Sequence, residues 1–262
     1  MTIATVIRIN DGLVLATDSA SAITEKENET SKIHQTYFNA DKLFNLKEGS
    51  SVGCLTWGDG SINGISIAEL TKIFDMTISQ TDMSVKDICE LFIEFIEKTI
   101  ADSLNVNIGF VIAGYSKIND DVPEMYCIEV ENGIVENYFE LSNDNFSISW
   151  FGSYDFLSRF IFGIDIHAGD LLKENGFDEK EVDEMIEFTK KELAIPLGFS
   201  EMPIQDAIDL ADFLVDFCKK TSRFIPGPQI IGGPTDIAII TPYEGFSWIK
   251  RKHYNAPGQI WK

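Results

Sequence analysis

A hydroxyl and a free α-amine on one residue suffice for acyl-transfer chemistry, because the hydroxyl can attack a carbonyl while the amine takes its proton. Position 2 of this chain offers that pair. Methionine before a small residue is normally removed, so Thr2 is expected to become the N-terminus. An unperturbed α-amine has a pKa of about 8, so an appreciable share is already neutral near pH 7. The residues behind Thr2 are suited to hold it in place. Two β-branched, apolar runs, Ile3 to Ile9 and Leu13 to Thr17, flank Asn10-Asp11-Gly12, which is a strong hairpin signal. Thr2 then stands at the tip of a strand.

The stretch resembles the start of a proteasome β-type subunit, an N-terminal-nucleophile (Ntn) hydrolase. That family has a terminal Thr, a strand, a glycine-containing turn and a second strand ending in Ala-x-Asp-Ser, which Ala16-Thr17-Asp18-Ser19 matches. Asp41-Lys42-Leu43-Phe44-Asn45-Leu46 is similar to the strand that carries the family's catalytic lysine. The resemblance implies Thr2 as nucleophile, Lys42 as the cation beside its amine, and Asp18 as the partner of that lysine. It further implies Gly58 as the backbone N–H donor to an oxyanion, and Ser153 of Gly152-Ser153 as a hydroxyl near the terminal amine. Gly232-Gly233-Pro234-Thr235-Asp236 and the apolar run after it look like the family's closing strand. An N-terminal Thr without a long propeptide is closer to the bacterial proteasome-like branches than to the main eukaryotic subunits.

The chemistry of the trio is coherent. A neighbouring ammonium lowers the amine's proton affinity and helps ionise the hydroxyl, and a buried carboxylate keeps that ammonium charged. Register decides whether the pieces meet. A three-residue Asn10-Asp11-Gly12 loop puts Asp18 opposite Ala4 and on the face of Thr2, whereas a two-residue Asp11-Gly12 turn sends it to the other face.

Each residue also has a plainer reading. Thr2 can be a simple chain start, Asp18 a turn cap, and Lys42 an edge-strand lysine that discourages aggregation. Gly58 can belong to a helix-start turn capped by Asp59 or Ser61, and Ser153 can be the N-cap of a helix over Tyr154 to Phe162. Two departures from the family pattern stand out. Pro228-Gln229-Ile230-Ile231 occupies the place of an Asp-x-x-Ser that orients the terminal amine, and Ala20 stands where an arginine is common.

The elements that must position these residues follow from periodicity. Ala22 to Gln35 reads as an exposed loop or a lengthened hairpin, and Ser51 to Trp57 as a strand. Helices are expected over Ile62 to Met76 and, capped by Ser84, over a stripe from Val85 to Ile100. Strands follow at Asn107 to Tyr115, Glu124 to Val130, Ile134 to Leu141 and Ser147 to Ser153. Asp165 to Phe224 is largely helical, with Ala207, Ile208, Ala211, Leu214, Val215 and Cys218 facing inward. Gln229 to Thr241 is expected as a strand pair and Phe246 to Lys250 as the last strand. That order fits an α+β, four-layer αββα sandwich, read as a single Ntn-hydrolase domain over residues 1–262.

Composition narrows the function. A net charge of −21 argues against nucleic-acid partners and anionic membranes. Four widely spaced cysteines in apolar segments suggest a reducing compartment. No leader or membrane-length apolar run is evident, so a cytoplasmic location is expected. His34, His167 and His253 lack ligand spacing and there is no Walker-type loop, so neither metal nor cofactor is expected. An ATP requirement would belong to an ATPase partner. The function that follows is an N-terminal threonine hydrolase acting on peptide or unfolded-protein amide bonds, as a homo-oligomeric ring or spiral. The alternatives are a catalytically inactive proteasome-like assembly subunit and an Ntn amidase acting on a small-molecule amide.

Overall fold

The computed structural model describes residues 2–27, 30–78, 83–100, 105–116, 122–141, 146–153 and 155–252, without the side chains of 25–32. Met1, Tyr154 and His253 lie outside the described residues. The chain opens with β1 (Ile3–Ile9) and β2 (Gly12–Thr17), then β3 (Ser21–Glu27) and β4 (Thr30–Tyr37), which pair with each other. Ala22 to Gln35 is thus a lengthened hairpin. β5 (Leu43–Asn45) and β6 (Val52–Gly58) follow, then a small hairpin of β7 (Ser61–Ile62) and β8 (Ile65–Ser66). After α1 (Ile67–Thr77) and α2 (Val85–Ile100) come β9 (Ile108–Tyr115), β10 (Pro123–Glu131), β11 (Ile134–Glu140) and β12 (Ser147–Gly152). Four helices, α3 (Asp155–Phe162), α4 (Ala168–Glu174), α5 (Glu179–Leu193) and α6 (Ile204–Ser222), precede β13 (Asp236–Thr241) and β14 (Gly245–Lys250).

Two five-stranded antiparallel sheets result, one in the order β12-β1-β2-β13-β14 and the other β11-β10-β9-β6-β5. Strand alternation explains the layering. From β1 and β2, Ala4, Val6, Leu13 and Leu15 point between the sheets and meet Leu55, Val111, Ala113 and Met125 of the second sheet. Their neighbours Ile3, Ile7, Val14 and Ala16 point outward onto α3 and α6. On the far side, Cys54, Phe110, Ile112 and Ile128 of the second sheet meet α1 and α2. Helix, sheet, sheet, helix is the expected αββα sandwich.

The elements follow their sequence signals closely, with departures at the start of α1 and before β13. Ala207, Ile208, Ala211, Leu214, Val215 and Cys218 of α6 are all buried, as the stripe predicts. Ser84 accepts from Asp87 N at 3.0 Å while the Asp87 carboxylate accepts from Ser84 N at 3.1 Å, a capping box at the start of α2. α1, however, begins five residues later than the expected Ile62, because Asn63 and Gly64 both adopt positive φ (52° and 79°) and close the β7–β8 turn first. Its cap is Ser66, whose hydroxyl accepts from Glu69 N at 3.2 Å, rather than Asp59 or Ser61. The second departure is at residues 229–235, where the expected strand before β13 does not form. There the backbone of Gly232 is engaged elsewhere: its N–H donates to Asp18 Oδ2 at 2.9 Å and its carbonyl accepts from Ser19 N at 2.9 Å.

Candidate active site

The register of the first hairpin is neither of the two expected. Ile9 pairs with Gly12 and Ala4 with Thr17, so the turn is Asn10-Asp11 and Asp18 falls opposite Ile3. By strict alternation Asp18 would face away from Thr2. It escapes that rule because β2 ends at Thr17 and the chain turns there. The Asp18 carboxylate accepts from Ile3 N at 3.2 Å, from Ala20 N at 3.0 Å and from Gly232 N. Three backbone donors thus replace the hydration of a fully buried carboxylate.

Lys42 completes the set. It immediately precedes β5, and its carbonyl accepts from Thr56 N at 3.0 Å, which fixes it to β6. Its Nζ lies 2.8 Å from Asp18 Oδ1, and both side chains are buried. Burial depresses the Lys42 pKa below 10.5, and the Asp18 carboxylate is the main influence opposing that fall.

Thr2 is held at the head of β1 by β12. Ser153 N donates to the Thr2 carbonyl at 2.6 Å. Only a glycine allows that approach: at Gly152, with φ +85°, a Cβ would lie 2.1 Å from the Thr2 carbonyl oxygen. With its carbonyl pinned, Thr2 lines a cavity of about 400 Å³ together with Ala20, Lys42, Thr56, Gly58 and Ser66. The same cavity receives the N-terminus of α1 through Ser66 and Ile67, the positive end of an eleven-residue helix.

Gly58 closes β6 rather than opening a helix, with φ +89° and no room for a Cβ, which would lie 2.4 Å from Asn107 O. Asp59 is a strap across the sheet, its carboxylate accepting from Asn107 N at 2.8 Å. Ser153 caps no helix. Its hydroxyl oxygen is buried and has no hydrogen-bond partner among the described residues. The residue lines a separate cavity of about 430 Å³ with Phe156, Arg159 and Ile231. Thr2, Lys42 and Gly58 therefore share one cavity, Asp18 supports it from beneath Lys42, and Ser153 sits behind the Thr2 carbonyl.

Sequence reasoning overlooked a second charged cluster. Lys252 bonds to Asp236 and lies 3.2 Å from Asp41 Oδ1 and 3.0 Å from Ser19 Oγ. Asp236 was visible at the end of Gly-Gly-x-x-Asp; Lys252, beyond the last strand, carried no signal. All four cysteines are buried and free. Among the described residues no group of three or more His, Cys, Asp or Glu side chains is placed to hold a metal, and no helix is long and apolar enough to cross a membrane.

This arrangement, a strand-borne N-terminal segment opening between two stacked sheets, is the proteasome-like Ntn fold. Solved structures share it. A mutant Anbu from Hyphomicrobium sp. strain MC1 matches with a TM-score of 0.56 at 14% identity, covering 98% of this chain and 88% of that one. Anbu from Yersinia bercovieri, described as an ancestral beta-subunit, matches with a TM-score of 0.50 at 14% identity, over 96% of this chain and 88% of that one. At that identity the likeness is one of fold. No family model matches the sequence, and no curated protein matches it.

Proposed function

We propose that this chain is an N-terminal threonine hydrolase that cleaves peptide or amide bonds, with Thr2 as nucleophile once Met1 is removed. The buried Lys42–Asp18 pair opening on the Thr2 cavity carries the reading. A structural role would be better served by apolar side chains of similar volume, since a buried ion pair seldom adds net stability. The Thr2 hydroxyl attacks the substrate carbonyl carbon and its proton passes to the α-amine. The tetrahedral oxyanion takes a hydrogen bond from the backbone at Gly58, beside the positive end of α1. Collapse breaks the C–N bond, the α-ammonium protonates the leaving amine, and an ester to Thr2 remains. Water activated by the same amine then hydrolyses the ester, releasing the acid and restoring the hydroxyl. Lys42 lowers the proton affinity of the amine, and Asp18 keeps Lys42 charged. The bond from Ser153 N to the Thr2 carbonyl supports a part for Ser153 in ordering the N-terminal residue.

Substrates in this reading are peptides or unfolded chain segments, processed by a homo-oligomeric ring or spiral in the cytoplasm, with any ATP use left to a separate ATPase. A small-molecule amide is the variant substrate, betrayed by a reactive Thr2 that ignores peptides. One observation favours a non-catalytic assembly subunit instead: Ile231, buried against α6, stands in the segment where the resemblance calls for the polar residues that orient the amine. The test is intact mass after exposure to a peptide epoxyketone, which needs both the hydroxyl and the amine of Thr2. An adduct on wild type lacking Met1, and none on Thr2→Ala, is expected. A retained Met1 with no adduct would sink the catalytic reading in favour of the assembly subunit.

A further inference from the structure

Lys252 lies two residues past β14 and is a second, largely buried cation at the Thr2 end of the sandwich. Its side chain is 9% exposed, and its backbone N–H donates to Asp236 Oδ1 at 2.9 Å, so main chain and side chain both fix it. Each partner of its Nζ touches the Lys42–Asp18 pair through the backbone. Ser19 follows Asp18, Asp41 precedes Lys42, and Asp236 pairs with Thr17 across the sheet. Ser19 in turn donates from Oγ to Pro234 O at 2.8 Å, tying in the segment that supplies Gly232 N to Asp18. Three separate stretches of chain that must hold Asp18 and Lys42 in contact therefore converge on one ammonium. Asp236 is 2% exposed, so the cluster carries the desolvation cost of buried charge, which an apolar cluster would avoid.

We propose that Lys252 is a positioning residue for the Lys42–Asp18 pair, clamping the segments at 19, 41 and 236 and setting a second positive charge behind Lys42. Its catalytic consequence rests on the threonine-hydrolase reading; its effect on Lys42 does not. Lys42 is faced by Asp18 from the end of β2, Asp41 from its own segment, Asp236 from β13 and Lys252 from beyond β14. Asp59 lines the cavity with its carboxylate engaged by Asn107 N, and Cys218 of α6 lies near Asp18 with its thiol pushed up to about 12 by burial. Burial depresses Lys42 most and Asp18 opposes it most; the like charge of Lys252 deepens the depression while Asp236 offsets it. Removing the Lys252 charge takes away one repulsion and leaves the Asp236 carboxylate without its ammonium, and both changes move Lys42 upward.

The test follows the Lys42 side chain directly. The full chain is labelled with [13Cε]lysine and titrated by NMR, the Lys42 signal being the one absent from Lys42→Arg. In Lys252→Met the Lys42 midpoint is expected to rise by about half a pH unit or more, and in Lys252→Arg to stay within about 0.2 unit. Lys252→Gln, neutral but able to donate to Asp236, serves if the methionine variant does not fold. In parallel, the rate of epoxyketone adduct formation at Thr2 is followed against pH. Loss of positive charge lets the α-amine keep its proton to higher pH, so the acid limb should move upward in Lys252→Met and remain in place in Lys252→Arg. An unmoved Lys42 midpoint in the neutral variants overturns the proposal whatever Thr2 does. A moved midpoint in a protein whose wild type forms no adduct upholds Lys252 as the determinant of Lys42 and removes the threonine-hydrolase reading instead.

Discussion

The two ends of the first sheet solve the same problem in opposite ways. At one end β1 and β2 are joined by Asn10-Asp11, and β13 and β14 by Pro242-Tyr243-Glu244, with Tyr243 89% exposed. Backbone groups there lie in tight turns or at the surface, and Glu244 N donates to Thr241 Oγ1 at 3.1 Å. At the other end no tight turn closes the strands. The backbone donors of Ile3, Ala20 and Gly232 converge on Asp18, and that carboxylate is balanced by Lys42. The turn end is built from local conformational preference and tolerates change. The Thr2 end is built from long-range contacts between charges out of water, where each group depends on the others.

Several substitutions would sharpen or break that contrast. Thr2→Ala should abolish adduct formation and lower peptide hydrolysis by at least about 10³-fold, with a stability change under about 1 kcal/mol by urea melt. Asp18→Asn strands a buried ammonium and should cost about 3–5 kcal/mol in the same melt, together with Thr2 reactivity. Gly152→Ala drives a Cβ into the Thr2 carbonyl at a positive φ; a loss of about 2 kcal/mol or more, with slowed adduct formation, is expected. Ser66→Ala removes the α1 cap at the cavity rim and should cost about 1 kcal/mol. At the turn end, Asn10→Ala should change stability by about 0.5 kcal/mol or less and leave Thr2 reactivity alone. A cost at Asn10 equal to that at Asp18 would erase the distinction between the ends.

Titration gives a finer version of the same contrast. Lys42 in the folded chain holds its proton less tightly than in the unfolded chain, so the unfolded state binds more protons just below pH 10.5. Stability should therefore gain from Lys42 as pH rises through that window, against the general loss from other lysines. Lys42→Met should remove this gain, seen as a steeper fall of wild-type-corrected stability with pH.

Much of the fold was legible in the sequence because it rests on short-range rules. The α6 stripe, the Ser84 capping box and the Asn132-Gly133 turn, with φ of 50° and 77°, are each decided by residues within one or two turns of each other. The α1 start was misplaced because an unrecognised Asn63-Gly64 turn competed with the helix and won. The expected strand before Gly232 is missing because its backbone serves a carboxylate over two hundred residues away, a partner no local window contains.

The site divides along the same line. Thr2, Asp18, Lys42 and Gly58 could be proposed in advance, because the stretches that carry them resemble the proteasome β-type pattern. That Asp18 reaches Lys42 from the unfavourable register, and that Lys252 closes the cluster from beyond the last strand, only the tertiary structure decided. A buried charge takes whatever opposite charge and backbone donors the packed chain brings within about 3 Å, and that proximity is a property of the assembled sheets rather than of sequence spacing.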